Sequence, residues 1–239
     1  MNIIHQIKNV NTYIQKTKLK ENKNMATQIY LGLPPPNVVK WIKEHYKPVM
    51  SNVPLTFTAE EPNATFSLYS YGGPAVTLET STTGEEGTWT SYTVGDEITL
   101  ANVGDKIMFR NSSDGIQVMA TNYNKCHKFN ITQGKIAASG NIMFLMDKTG
   151  ELRDLSGKDK CYYSMFSGCT SLTQAPILPA TLVSAGCYTS MFSGCTSLTQ
   201  APELPAETLT GDYNYNSMFS GCTALTQAPA LPATSFGIG

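Results

Sequence analysis

Six cysteines and three histidines are the residues of this 239-residue chain with the most chemistry in them. Cys161, Cys169, Cys187, Cys195 and Cys222 crowd the last third, and Cys126 stands apart. Their spacing is periodic: Cys161 to Cys187 and Cys169 to Cys195 are each 26 residues, and Cys195 to Cys222 is 27. Zinc sites draw ligand pairs from positions a few residues apart, and no Cys-x-x-Cys pair exists, so a metal site is not expected. Cysteines stacked at a repeat period come near disulfide distance. Parallel Cβ vectors suit a bridge poorly, however, and buried free thiols acting as small hydrophobes are expected instead.

Acid-base chemistry has little to work with. His5, His45 and His127 form no Ser-His-Asp pattern, and no phosphate-binding glycine loop is present. A glycoside hydrolase needs two carboxyl groups about 5 to 9 Å apart in a cleft. The candidates Glu85, Glu86 and Asp96 sit in turns without supporting signals. The chain is therefore read as non-enzymatic, with no cofactor. Net charge is -1 and the pI about 6.3, so no basic field points to nucleic acid. No apolar run reaches the about 18 residues of a membrane span. The start, Met1-Asn-Ile-Ile-His-Gln-Ile-Lys-Asn, lacks the layout of a secretory signal; that absence is expected of a virion protein rather than of a secreted adhesin.

Aromatic residues are the better candidates for recognition. Tyr162, Tyr163, Tyr188, Tyr213 and Tyr215 recur beside the periodic cysteines. They form either an exposed strip that meets a ligand or a ladder of stacked rings. Trp89 and Tyr92 are suited to stack on a sugar ring, or to plug the core as hairpin aromatics often do.

The element that positions the tyrosines is a phrase written three times. It runs Tyr163-Ser-Met-Phe-Ser-Gly-Cys169-Thr-Ser-Leu172-Thr-Gln-Ala-Pro176-Ile-Leu178-Pro179-Ala and returns from Ser190 and from Ser217. Met165, Met191 and Met218 are 26 and 27 residues apart, inside the range of about 20 to 29 residues for leucine-rich repeats. In a solenoid, equivalent positions lie above one another, so Met, Phe, Cys and the two Leu are expected as interior ladders. Leu-Thr-Gln-Ala is the expected strand of each coil, ended by the Pro that follows. Gly168, Gly194 and Gly221 mark a positive φ or a close approach between coils.

Ser-Met-Phe-Ser-Gly-Cys-Thr-Ser-Leu-Thr followed by Ala-Pro-x-Leu-Pro-Ala closely resembles the BspA-type leucine-rich repeats of bacterial surface proteins, in their Met-Phe-x-x-Cys-x-x-Leu variant. It is also similar to arrays in fibre and decoration proteins of phages of gut anaerobes. The resemblance covers the last third of the chain. It implies adhesion or recognition at a virion surface or, alternatively, a bacterial cell surface. By the same analogy it implies other virion proteins and a host glycan or protein as partners, and a homo-oligomer, a trimer by preference.

The rest reads as a mount. In residues 1–52, Ile3, Ile7, Val10 and Ile14 give a short heptad stripe, read as a tail, an oligomerising helix or a stretch upstream of a true start at Met25. Asn37 then caps a helix whose face, with Trp41, Ile42 and Tyr46, packs on its own chain or docks into a larger assembly. Residues 53–138 alternate apolar and polar positions in eight short runs between Gly-rich turns, as an immunoglobulin-like β-sandwich does. Residues 139–239 are the repeat solenoid, with Ile136-Ala-Ala and Ile142–Met146 as its capping coil. Ser235-Phe-Gly-Ile-Gly239 lacks a polar cap, so Phe236 and Ile238 are expected to fold back as a lid unless another subunit covers the end. The expected fold is mainly β, with a small helical N-terminal segment.

Overall fold

The computed structural model describes residues 52–236. The helix expected around Trp41, Ile42 and Tyr46 lies outside the described residues, as do the side chains of the expected lid. The described part is mainly β; its one helical element is a single 3₁₀ turn, Ile142–Leu145.

Each of the eight alternating runs becomes a strand within a few residues of its expected place: β1 (Leu55–Ala59), β2 (Ala64–Tyr71), β3 (Leu78–Ser81), β4 (Thr90–Tyr92), β5 (Glu97–Leu100), β6 (Lys106–Asn111), β7 (Ala120–Asn122) and β8 (Lys125–Gln133). A ninth, β9 (Ile136–Ser139), follows at once. With β10 (Leu172–Gln174) they form a six-stranded sheet in the order β10-β9-β1-β6-β3-β4 and a four-stranded sheet in the order β5-β2-β8-β7. Alternation puts Phe57 of β1 on one inner face and Phe66 and Phe129, from β2 and β8, on the other. Their ring centroids meet at 4.6 and 4.7 Å, and Phe57, Phe66, Phe109 and Phe129 are all buried.

In the repeats, the Tyr-Ser-Met-Phe stretch folds as a run of turns whose backbone N–H groups face two ways. Met165 N donates to Tyr162 O and Ser167 N to Ser164 O, within the repeat. Ser164 N, Phe166 N and Gly168 N donate instead to Thr189 O, Met191 O and Ser193 O of the next repeat, at 2.9, 2.8 and 2.8 Å. Ser190, Phe192 and Gly194 repeat the pattern toward Asn216, Met218 and Ser220. Left-handed backbone at alternate residues, Tyr162 and Ser164, Tyr188 and Ser190, Tyr215 and Ser217, accompanies this alternation. Gly194 also takes a φ of +77°, while a Cβ on it would meet Gly168 at an ordinary 3.6 Å. The left-handed φ, not crowding, is what calls for glycine there.

The strand of each repeat is not where the sequence places it. Leu-Thr-Gln is a strand only in its first copy, where β10 pairs in parallel with β9. The recurring strands come later, as β11 (Leu182–Val183), β12 (Thr208–Leu209) and β13 (Ser235–Phe236), a parallel three-stranded sheet. The Ala-Pro-x-Leu-Pro segment lies between the two positions, and its two prolines remove two backbone donors from any ladder there.

Residues 53–138 and 139–239 belong to one compact unit and share one core. The backbone hydrogen bonding of the repeats also reaches back before Ile136. Phe129 N of β8 donates to Met165 O at 2.8 Å, as Phe166 N does to Met191 O one repeat later. Ile142 N closes the same rung further on by donating to Ile177 O.

Candidate functional site

Equivalent positions of the three repeats run side by side across the surface, and where they differ the surface has relief. One column is Lys160, Gly186 and Tyr213; its neighbour on one side is Asp159, Ala185 and Asp212, and three residues on lie Tyr163, Thr189 and Asn216. The middle repeat carries the small side chains, Ala185 and Gly186, between bulkier ones. The result is a groove of about 510 Å³, lined by Lys160, Tyr163, Thr189, Asp212, Tyr213 and Asn216, with Tyr123 at its edge. Gly186 and Gly211 keep it open: a Cβ on Gly186 would fall 2.9 Å from Lys160 Cγ, and one on Gly211 2.6 Å from Ala185 Cβ.

Part of the groove's backbone is paired across the repeats. Lys160 N donates to Ala185 O at 2.7 Å and Gly186 N to Asp212 O at 2.8 Å, while the Thr189 hydroxyl donates to Tyr213 O at 2.7 Å. The side chains supply most of what the groove presents. Tyr213 is 72% exposed and Tyr123 59%, and Tyr163 is half-buried beside them. Aromatic faces flanked by an ammonium, a carboxylate and an amide suit a ligand that is apolar on its ring faces and polar at its rim. Asp212 is the single carboxylate in the lining, so the groove does not hold a two-carboxylate hydrolase pair.

The other tyrosines singled out above turn inward. Tyr162, Tyr188 and Tyr215 stack with centroids 5.6 and 5.7 Å apart, within 2° and 4° of parallel. Tyr162 and Tyr188 are buried, and that burial raises both phenols' pKa. Tyr162 donates its hydroxyl to Ile142 O at 3.0 Å. These two rings offer no face to a ligand.

Trp89 and Tyr92 are likewise held by their own chain. The Arg110 guanidinium lies 4.0 Å from the Trp89 ring centroid and is fixed by Glu79 and by a fork onto Glu86 at 2.6 and 3.1 Å. The Tyr92 hydroxyl accepts from Leu68 N at 3.0 Å and donates to Asp96 O at 2.7 Å, tying β2 to the turn after β4. Burial raises its pKa. The sequence reading missed Tyr123, which sits in the two-residue turn between β7 and β8. An exposed tyrosine between two asparagines was its only signal, and nothing local ties it to repeats some 40 residues away.

A second groove, of about 580 Å³, runs between Thr199–Pro205 and Thr226–Pro232. It has no aromatic lining residue, and Glu203 is its single charge. Among the described residues no cluster of three or more His, Cys, Asp or Glu is placed to hold a metal, and no helix is long and apolar enough to cross a membrane. No protein-family model matches the chain, and no curated protein or solved structure matches it.

Proposed function

We propose that the chain is a non-enzymatic recognition protein: an immunoglobulin-like β-sandwich carrying a short BspA-type leucine-rich-repeat solenoid that binds a glycan or protein on a host cell surface. The setting we propose is a phage virion, as a head or tail fibre or decoration protein; the alternative is a bacterial surface adhesin of the same repeat type. The observation that carries the reading is the groove in which Tyr123, Tyr163 and Tyr213 surround the small middle-repeat residues Ala185 and Gly186. Pyranose rings present apolar C–H faces and a hydroxyl rim, and tyrosine faces beside Lys160, Asp212 and Asn216 complement both. The repeat resemblance supports the same class of role.

The test is a glycan array probed with the protein and with Tyr213→Ala and Tyr123→Ala variants. Both side chains are exposed, so folding is expected to survive. Binding that falls at least about tenfold in each variant, equivalent to about 1.4 kcal/mol, supports the site; binding that is unchanged removes it. Mass spectrometry of purified virions separates the two settings.

A further inference from the structure

The two cysteine ladders are built from one residue type and do different things. In the first, Cys169, Cys195 and Cys222 each give the thiol hydrogen to the carbonyl of the preceding rung, Phe129 O, Phe166 O and Phe192 O, at 3.2, 3.1 and 3.0 Å. Every sulfur there has an oxygen partner. In the second, Cys161 Sγ lies 2.9 Å from Cys187 Sγ; Cys187 also donates to Lys158 O at 3.3 Å, and both side chains are fully buried. The third repeat has Asn214 at this position, its amide donating to Thr210 O and Gly211 O. The pair therefore has no third thiol to compete for it.

We propose that Cys161 and Cys187 are a cross-linking site, closing to a disulfide that staples the first repeat to the second. Two sulfurs at 2.9 Å need to approach by only about 0.9 Å to reach the about 2.05 Å of the bond. The backbone spacing suits it as well. The adjoining Tyr162 and Tyr188 rings stack 5.6 Å apart and 2° from parallel, and Tyr188 N donates to Cys161 O at 3.1 Å, so the two repeats run one strand spacing, about 4.8 Å, apart here. That spacing falls within the about 4.4 to 6.8 Å between Cα atoms that a disulfide spans.

The oxidant is a small-molecule disulfide. The Cys187 thiolate attacks it and releases one small thiol; Cys161 then attacks Cys187 Sγ of the mixed disulfide and releases the second. Two protein thiols lose two protons and two electrons, one Sγ–Sγ bond forms, and the small disulfide leaves as two thiols. Because both sulfurs are enclosed in the finished fold, exchange takes place during folding, before the repeats close.

The experiment refolds the reduced, denatured full chain in an oxidised/reduced glutathione buffer, confirms the fold by circular dichroism, blocks free thiols in denaturant and maps peptides after peptic digestion. Expected are four blocked cysteines of the six, with a linked pair containing Cys161 and Cys187, and a melting temperature higher than that of the reduced protein. Cys161→Ser in the same buffer is expected to keep all five remaining thiols free. Six free thiols in folded wild-type protein, or a linkage through Cys126, Cys169, Cys195 or Cys222, overturns the assignment; neither result depends on the variant folding.

Discussion

The ring of Phe129 lies 5.3 Å from that of Phe166 and within 16° of parallel. The stack runs on through Phe192 and Phe219 at 5.4 and 5.8 Å. A strand of the four-stranded sheet thus occupies the rung that would precede the first repeat, matching it in side chain, in backbone donor and in the carbonyl that receives the Cys169 thiol. The same Phe129 ring packs on Phe57 of the six-stranded sheet at 4.7 Å, so one side chain joins both sheets to the ring stack of the repeats.

Truncating this shared ring is expected to loosen both parts together. Phe129→Ala should cost about 3 to 5 kcal/mol, read as a lower urea midpoint with little change in slope. Hydrogen exchange should accelerate in β1 and β2 and in the amides of 161–222 alike. Loss of protection on one side only would show that the parts unfold separately.

The Arg110 side chain is nearly enclosed, and so is that of Glu79, at 10% and 17% exposure, whereas Glu86 is 81% exposed. Removing Glu79's partner strands a buried carboxylate, so Arg110→Ala should cost about 3 kcal/mol. Arg110→Lys should recover only part of this, because an ammonium cannot reproduce the planar fork over Trp89. Glu86→Gln should be close to neutral, as expected for a partner in water. Chemical denaturation of the three variants measures this, and equal losses in all three would refute the ranking.

His127 is buried, its Nδ1 2.9 Å from Met119 O. A carbonyl only accepts, so Nδ1 carries the hydrogen. Gly73 lies against the ring, where a Cβ would stand 2.7 Å from Cε1. Burial lowers the His127 pKa, so as pH falls below about 6.5 the unfolded chain takes up the proton first. Stability should decline as pH drops below that value, level off once the folded-state value is passed, and show no contribution from this group at higher pH. His127→Asn keeps a donor near Met119 O and removes the titration. Wild type and variant should therefore converge in pH dependence above pH 7 and diverge below 6.5; parallel curves throughout would contradict the assignment.

The eight strands of 53–138 were legible because period-two alternation and Gly-rich turns are local signals, as at Leu55-Thr-Phe57 and Val103-Gly-Asp105. The Phe ring stack and the burial of the periodic Met and Cys were legible because a repeat period puts equivalent residues in equivalent places. The site was half legible. All five tyrosines stood out together by their place beside the cysteines, yet Tyr162, Tyr188 and Tyr215 stack on one another while Tyr163 and Tyr213 line the groove; Tyr213 shares the left-handed backbone of the stacked three, so no local signal separates them.

By itself, then, the sequence determined the periodicity, the strand-rich composition and which residue types fill the interior, all of which follow from patterns within a few tens of residues. Tertiary structure alone decided that Phe129 of β8 continues the ring stack of the repeats, that Tyr123 reaches the groove, and that Cys161 and Cys187 lie against each other while Cys169, Cys195 and Cys222 meet only carbonyls. Each of those outcomes depends on which backbone groups remain unpaired when distant segments meet, and that is settled only when the sheets and the repeats close on one core.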